Sequence, residues 1–389
     1  MRWDVAISGA GPAGAALAIQ LGRRGYSVAL FERSRFPREK PCGEGMMPAG
    51  VAALSELGLD TRGMGAEFYG IRYHFHDRMT EGRFPECGEV AAGRGLRRRE
   101  LDAALALRAS QTRGVELYTG ARVSAPLIEQ GRVTGLLVEE QPVRARLMVA
   151  ADGAQSRVRY ALGLDRPERR KRIGMIMHFR RAAGAPAQQH VEIYLGRGHE
   201  LYVTPLPHGE FLVASLAESG ALAGSVEGAY RSWWQAQPRL AERVRAAEPS
   251  SDLLVTSPLS GQARRRSLPG LVFLGDAAGS TDPITGGGMT QALQAARLLA
   301  GHLAVAPDWS ESVLEAFDRK REALLRDYRR MTAAVLWLAR HPRWIAPALD
   351  VMRSSPRLFS HLLGVSGGVR RLLWRDAQPD GFRAAMHAE

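Results

Sequence analysis

The chain has 389 residues, with 53 Lys+Arg against 40 Asp+Glu for a formal charge of +13, 45% hydrophobic residues and 42 glycines. This is globular composition, which excludes a disordered, collagenous or fibrous chain, and the length is ample for about two to three domains. The arginines are scattered, without interleaved aromatics or a helix-turn-helix pattern, so the charge points to an anionic cofactor, substrate or membrane surface and away from nucleic acid.

The chain opens strand, helix, strand: Trp3–Ser8, an Ala-rich helix over Pro12–Arg24, and Ser27–Phe31, joined at the first corner by glycines. A loop rich in Arg, Pro and Gly spans Arg33–Pro48, and helices are expected over Ala49–Leu57 and Arg97–Ala109. Residues 114–147 carry short β runs broken at Gly120, Gly131 and Gln141-Pro142. Past Gly163, the runs Ile173–Phe179, Val191–Leu195, Leu201–Leu206 and Phe211–Leu216 predict an antiparallel meander. A helix over Val226–Arg245, a buried strand at Leu271–Leu274 and a helix over Gly288–Leu303 follow. The stretch from Ser310 to Arg375 reads as helical, punctuated by Pro342, Pro347 and Pro356.

Gly9-Ala10-Gly11-Pro12-Ala13-Gly14 fits GxGxxG between a strand and a helix. The first glycine permits the turn, the second lets a pyrophosphate reach the backbone, and the third lets the helix lie on the strand; the helix start then offers N–H groups to phosphate. Glu32 ends the second strand, where a carboxylate accepts from ribose hydroxyls, and Arg33 beside it is a further cofactor candidate. The motif by itself leaves FAD and NAD open.

Two later stretches carry a resemblance. Asp152-Gly153, within Leu147–Arg159, looks like the Asp-Gly fingerprint of flavoprotein hydroxylases. Gly275-Asp276-Ala277-Ala278-Gly279, followed by Pro283 and Gly286-Gly287-Gly288-Met289, looks like their Gly-Asp fingerprint. The resemblance implies FAD, the para-hydroxybenzoate-hydroxylase-like fold and NAD(P)H docking transiently as electron donor, since no second GxGxxG is present. The fold expected is α/β: a discontinuous Rossmann-type FAD domain (1–65, 93–170 and 255–309), an antiparallel-sheet substrate domain (66–92 and 171–254) and a C-terminal helical region (310–389). It also implies that Asp276 accepts from ribityl hydroxyls, that backbone N–H groups at 286–288 approach the flavin ring, that Arg98 reaches the cofactor phosphates and that Val123 flanks adenine. A helix start near the flavin's pyrimidine side stabilises the negative charge that reduction creates.

Lys40-Pro41-Cys42-Gly43-Glu44-Gly45 resembles the Cys-Gly loop of the geranylgeranyl-reductase-like branch. In that placement Cys42 and Gly43 lie by the flavin. Cys42 is a reactive thiol or a space-filling side chain, and Glu44 a substrate-binding group or proton carrier, or else a solvated or structural acid. Gly279 stands where aromatic hydroxylases commonly have histidine, and the Trp-x-Trp-x-Ile-Pro motif and catalytic lysine of flavin halogenases have no counterpart. Two reactions follow from the resemblance. The first in rank is O2-dependent hydroxylation of an apolar aromatic or polyketide-type substrate; the rival is saturation of carbon–carbon double bonds in an isoprenoid or lipid. A flavin-binding protein without turnover is the third.

Cys42 and Cys87 are too few for a disulfide framework or a paired-cysteine zinc module. His74 and His76, two apart on a strand, have no third ligand nearby and read as pocket or surface residues, and no metal is expected. Trp233-Trp234 reads as helix packing. No secretory signal is apparent, and the longest apolar stretch near the end, Met331–Ala339, is short of the ~18 residues a spanning helix needs. The expected location is the cytoplasm. Arg340–Arg375 holds seven arginines against one aspartate among apolar residues, a pattern that suits peripheral contact with anionic lipid or a cap on a greasy channel.

Overall fold

In the computed structural model, residues 3–86, 90–166, 172–182, 184, 186–222 and 224–373 are described; Cys87 and the stretch 374–389, with Arg375, lie outside them. Trp3–Ser8 lies between Gln141–Ala150 and Val28–Glu32, parallel to both, and the layer continues in parallel to Val115–Thr119 on one side and Leu271–Phe273 on the other. Val28–Glu32 is buried at every position, as expected of a parallel strand covered on both faces. Helices α1 (Pro12–Gly22), α2 (Pro48–Glu56) and α3 (Arg98–Ser110) form one cover with a later helix, Gly288–Val305. Val123–Glu129 and Arg132–Val138 form an antiparallel ribbon on Gln141–Ala150. Pro142 does not break that strand: it sits opposite Leu137 in the outer, ribbon part, where an edge tolerates a missing N–H.

The short helix α4 (Arg157–Ala161) precedes the second large sheet. Its order is Glu248–Pro249, Arg172–Arg180, Glu210–Glu218, His199–Pro205, His190–Leu195, Gly70–Phe75 and Arg78–Arg83. The expected meander is present, but the sheet is mixed: His190–Leu195 runs parallel to Gly70–Phe75. The two strands come from remote parts of the chain, so no hairpin constrains their direction. The expected single helix over 226–245 is two, α5 (Val226–Gln235) and α6 (Pro238–Arg245), because Pro238 starts a new helix more readily than it continues one. Trp233 and Trp234 are both buried against the sheet.

Helix α7 (Gly288–Val305) returns to the first layer. Helix α8 (Glu311–Arg340) is followed by α9 (Ile345–Ser354) and α10 (Pro356–Ser366), which lean on the Gly70–Phe75 and Arg78–Arg83 hairpin. The chain is thus mixed α/β: a discontinuous Rossmann-type domain, a sheet domain and C-terminal helices. Among the described residues, no helix is long and apolar enough to cross a membrane.

Candidate functional site

One cavity of about 970 Å3 runs from the first glycine turn, between the two sheets, to the underside of α8–α10. At its first end Gly9 has φ +98°, and a Cβ there would lie 2.5 Å from the Ala151 carbonyl oxygen; a Cβ on Gly14 would lie 1.9 Å from the Gly9 oxygen. These are the close approaches the motif needs. Gly14 itself packs helix on strand, whereas Gly9, Gly11, Pro12 and Ala13 line the cavity. Among the described residues no side chain caps the start of α1 or of α7, and both starts open on the cavity. Uncapped N–H groups and the helix dipole make such ends receptive to negative charge.

Glu32, buried at the wall, accepts from the Ala10 N–H at 3.2 Å and the Ser34 N–H at 3.1 Å, with Arg38 at 3.4 Å. Arg33 and the buried Val123 line the same end. Asp152 lies just ahead of α4, which Ser156 caps; its Oδ2 accepts from the Arg157 N–H at 2.8 Å, while its buried Oδ1 has no partner among the described residues. Burial pushes the Asp152 carboxyl up, against the hydrogen bonds that hold it. Gly153, with φ +88°, lets this turn pass close to Lys40.

Gly275 and Asp276 face the cavity from the 3-10 turn that follows the Leu271–Phe273 strand. Asp276 has exposed surface, yet that surface belongs to a deep cleft: loss of bulk water pushes its carboxyl up, opposed by Lys40, Arg98 and Arg159. Burial likewise pulls the Lys40 ammonium down, with Arg98 and Arg38 adding repulsion. A buried basic group of this kind, crowded by two arginines, suits a phosphate-bearing ligand.

Arg98 lines the wall, but its guanidinium is engaged bidentately with Asp102 at 2.8 and 2.7 Å, and Asp102 also holds Arg38 at 3.0 Å. Cys42 is a half-buried free thiol at the wall that accepts from the Glu44 N–H at 3.4 Å. Glu44 is 1% exposed with φ +56°. Its Oε1 accepts from the Arg98 N–H at 2.8 Å, and its Oε2 lies 2.9 Å from His178 Nε2. The carboxylate therefore ties the Cys42-Gly43 loop to the start of α3 and to the second sheet, and the ties hold a backbone conformation that is unfavourable outside glycine. Gly43 reaches the wall, its carbonyl accepting from the Thr204 hydroxyl at 2.9 Å.

Gly286 (φ +71°), Gly288 and Met289 line the cavity, whereas Gly287 does not. The Gly287 N–H donates to the Tyr328 hydroxyl at 3.1 Å, and a Cβ there would strike the Tyr328 ring at 2.6 Å. Its glycine serves the packing of α8, which the expectation of three ring-facing N–H groups did not separate out. His74 and His76 do not share a face: the strand ends at Phe75, and His76 turns away at φ +54°. His74 is buried on Tyr194, 3.2 Å from Glu192.

Sequence reading missed a buried hub. Arg172 pairs with Glu200 and, at 2.7 Å, with Asp282, the residue before cavity-lining Pro283. Two carboxylates share one guanidinium, and burial, aided by Asp282, pushes the Glu200 carboxyl up to about 7. The arrangement binds the second sheet to the loop at 282–286. Arg38, Lys40 and Asp102 were legible only as members of an Arg-rich loop and a helix, since their partners are far apart in sequence.

The glycine cradle, the orphaned Asp152 oxygen, the acids at two strand ends, the basic wall and the two uncapped helix starts fit FAD. With Glu32, Asp152 and Asp276 all at the wall of this cavity, the fold and site are those of an FAD-dependent oxidoreductase. The chain belongs to the family described as FAD binding domain, whose model matches residues 2–332. It is 30% identical over 317 residues to a menaquinone reductase of Mycolicibacterium smegmatis, covering 77% of this chain and 76% of that one. It is 30% identical over 342 residues to a digeranylgeranylglycerophospholipid reductase of Methanocella arvoryzae, covering 83% and 84%. In fold it is similar to a flavoprotein/dehydrogenase from Cytophaga hutchinsonii, with a TM-score of 0.83, 18% identity and 97% and 95% coverage.

Proposed function

We propose that this protein is an FAD-dependent reductase that saturates carbon–carbon double bonds in a long isoprenoid-type lipid or quinone. The observation that carries the reading is the far arm of the cavity. Beyond the flavin-side loops its wall passes to Leu338, Ile345, Leu349, Met352, Phe359 and Leu363, apolar residues of α8–α10. This is room for an extended greasy chain continuous with the cofactor cleft. Hydroxylation of an aromatic ring, first in rank on the motifs, rests on FAD features that both reaction classes share. The arm and the two reductase relatives favour reduction.

Bound FAD supplies hydride chemistry, with NAD(P)H as its transient electron donor. The chain's own residues divide the remaining work. Glu32, Asp152 and Asp276 hold the cofactor, Lys40 and the uncapped helix starts balance its charge, and the second sheet with α8–α10 excludes water and orients the chain. The end of α8 exposes Trp337 and the turn between α8 and α9 exposes Trp344, with the Arg343 guanidinium 5.8 Å from the Trp344 ring centre. Aromatic and arginine side chains at a channel roof suit contact with an anionic lipid surface, from which such a substrate would enter.

The test is turnover with NAD(P)H and a polyprenyl substrate in parallel under nitrogen and under 18O2. The expected product is heavier by two hydrogens per bond, carries no 18O and forms without oxygen. A product bearing the label, formed only in air, overturns the reading.

A further inference from the structure

Two phenols stand in the apolar arm, and they differ in one respect. Tyr202 donates to the Ile284 carbonyl at 3.0 Å, in the loop that follows Asp282. Tyr73, its neighbour on the Gly70–Phe75 strand, has no hydrogen-bonding partner among the described residues. Apart from Tyr202, its surroundings are apolar: the ring lies 5.9 Å from that of Phe359, centre to centre, and packs against the cluster of Phe359 and Leu363 and that of Ile345 and Leu349. Lost hydration alone pushes its hydroxyl up to about 12. The side chain is not closed off, however. It keeps part of its surface and lines the cavity.

A phenylalanine would satisfy every one of these packing contacts, so the oxygen adds nothing to the fold. An unpaired hydroxyl held away from bulk water is unfavourable and is relieved by any acceptor that enters. The group stays a neutral donor across the working pH range, and among the described residues of α8–α10 that line the cavity the charged one, Arg330, is mostly exposed and sits 3.6 Å from Asp327. A charged ligand head has no place here. We infer that Tyr73 is the hydrogen-bond donor that recognises an uncharged oxygen of an otherwise apolar substrate and so fixes which part of the chain reaches the cofactor. The inference rests on the reductase reading for its substrate class. A quinone carbonyl and a lipid ether oxygen share the required chemistry.

The test is binding to the holoenzyme, followed by quenching of tryptophan fluorescence, and needs no turnover. Wild type and Tyr73→Phe are titrated with a short-chain menaquinone, with digeranylgeranylglycerol and with squalene, a polyene without oxygen. The expected result is a rise in Kd of about tenfold, the loss of one hydrogen bond, for the quinone, the ether or both. Squalene affinity, FAD content and melting temperature stay unchanged. Phe359→Leu, which alters packing alone, weakens all three ligands alike. Unchanged Kd values for both oxygen-bearing ligands in Tyr73→Phe, or an equal rise for squalene, overturn the inference. Failure of the reductase reading is distinguishable, because it appears as absent turnover and leaves these Kd values as they are.

Discussion

The two ends of the cleft are made of opposite materials. At the end proposed for the nucleotide, backbone makes the wall: glycines at strand ends, uncapped helix starts and acids within a few residues of them. At the far end, side chains do it, and they come from strands at 70–75 and 190–205 and from helices after residue 311. The first kind of site is built from neighbours in sequence and the second from residues brought together only by folding. The Arg172 hub lies where the two meet, and the comparison predicts that damage there is felt at both ends.

The largest effect is expected from Arg172→Met, which leaves Glu200 and Asp282 without their shared cation. Loss of a buried partner of this kind costs about 3–5 kcal/mol, read as a lower urea midpoint. The same hub gives a pH signature. The Glu200 carboxyl is raised from its ordinary 4.5 to about 7 in the folded protein. Its contribution to stability is therefore complete below pH 4.5 and is lost as the pH rises through about 7. Glu200→Gln should flatten the fall in melting temperature over that window; an unchanged slope would assign it to another group.

Next comes Gly14→Ala. The new methyl meets the Gly9 carbonyl at 1.9 Å, and neither backbone can yield without moving the α1 start. A cost of about 3 kcal/mol and loss of FAD are expected, measured by melting and flavin absorbance. A stable, yellow Gly14→Ala protein would refute the close-packed corner. Asp276→Ala should weaken FAD retention by about 1–3 kcal/mol through the ribityl hydroxyl left unpaired, with the apo protein no less stable, since it removes a desolvated acid. Equilibrium dialysis of FAD reads this directly. The smallest effect is expected of Cys42→Ser, under about 0.5 kcal/mol in stability and with flavin retained, because serine keeps an acceptor for the Glu44 N–H. Loss of turnover with flavin still bound would instead give the sulfur a chemical role.

The same contrast explains what the sequence disclosed. Gly9, Glu32, Asp152 and Asp276 were legible because local motifs place them, and all four lie at the cavity wall. Gly287 was misjudged because a GGG run does not reveal which residue Tyr328, 41 residues later on a helix, will claim. Glu44 was visible as a loop acid, but its partner His178 lies on a strand of the other sheet, so its holding role could be seen only in three dimensions. Tyr73 carried no signal, since an aromatic in a strand reads as core. Pro238 did announce a helix boundary, and the periodicity across it obscured the break.

The central claim is that one continuous cleft seats the flavin beside an apolar chain whose double bonds accept its electrons. Anaerobic mixing of reduced holoenzyme with a short-chain polyprenyl lipid tests it most directly. The account predicts that the oxidised-flavin absorption returns without oxygen, in proportion to the double bonds saturated. A flavin that stays bleached until oxygen is admitted, with the lipid unchanged, would contradict it.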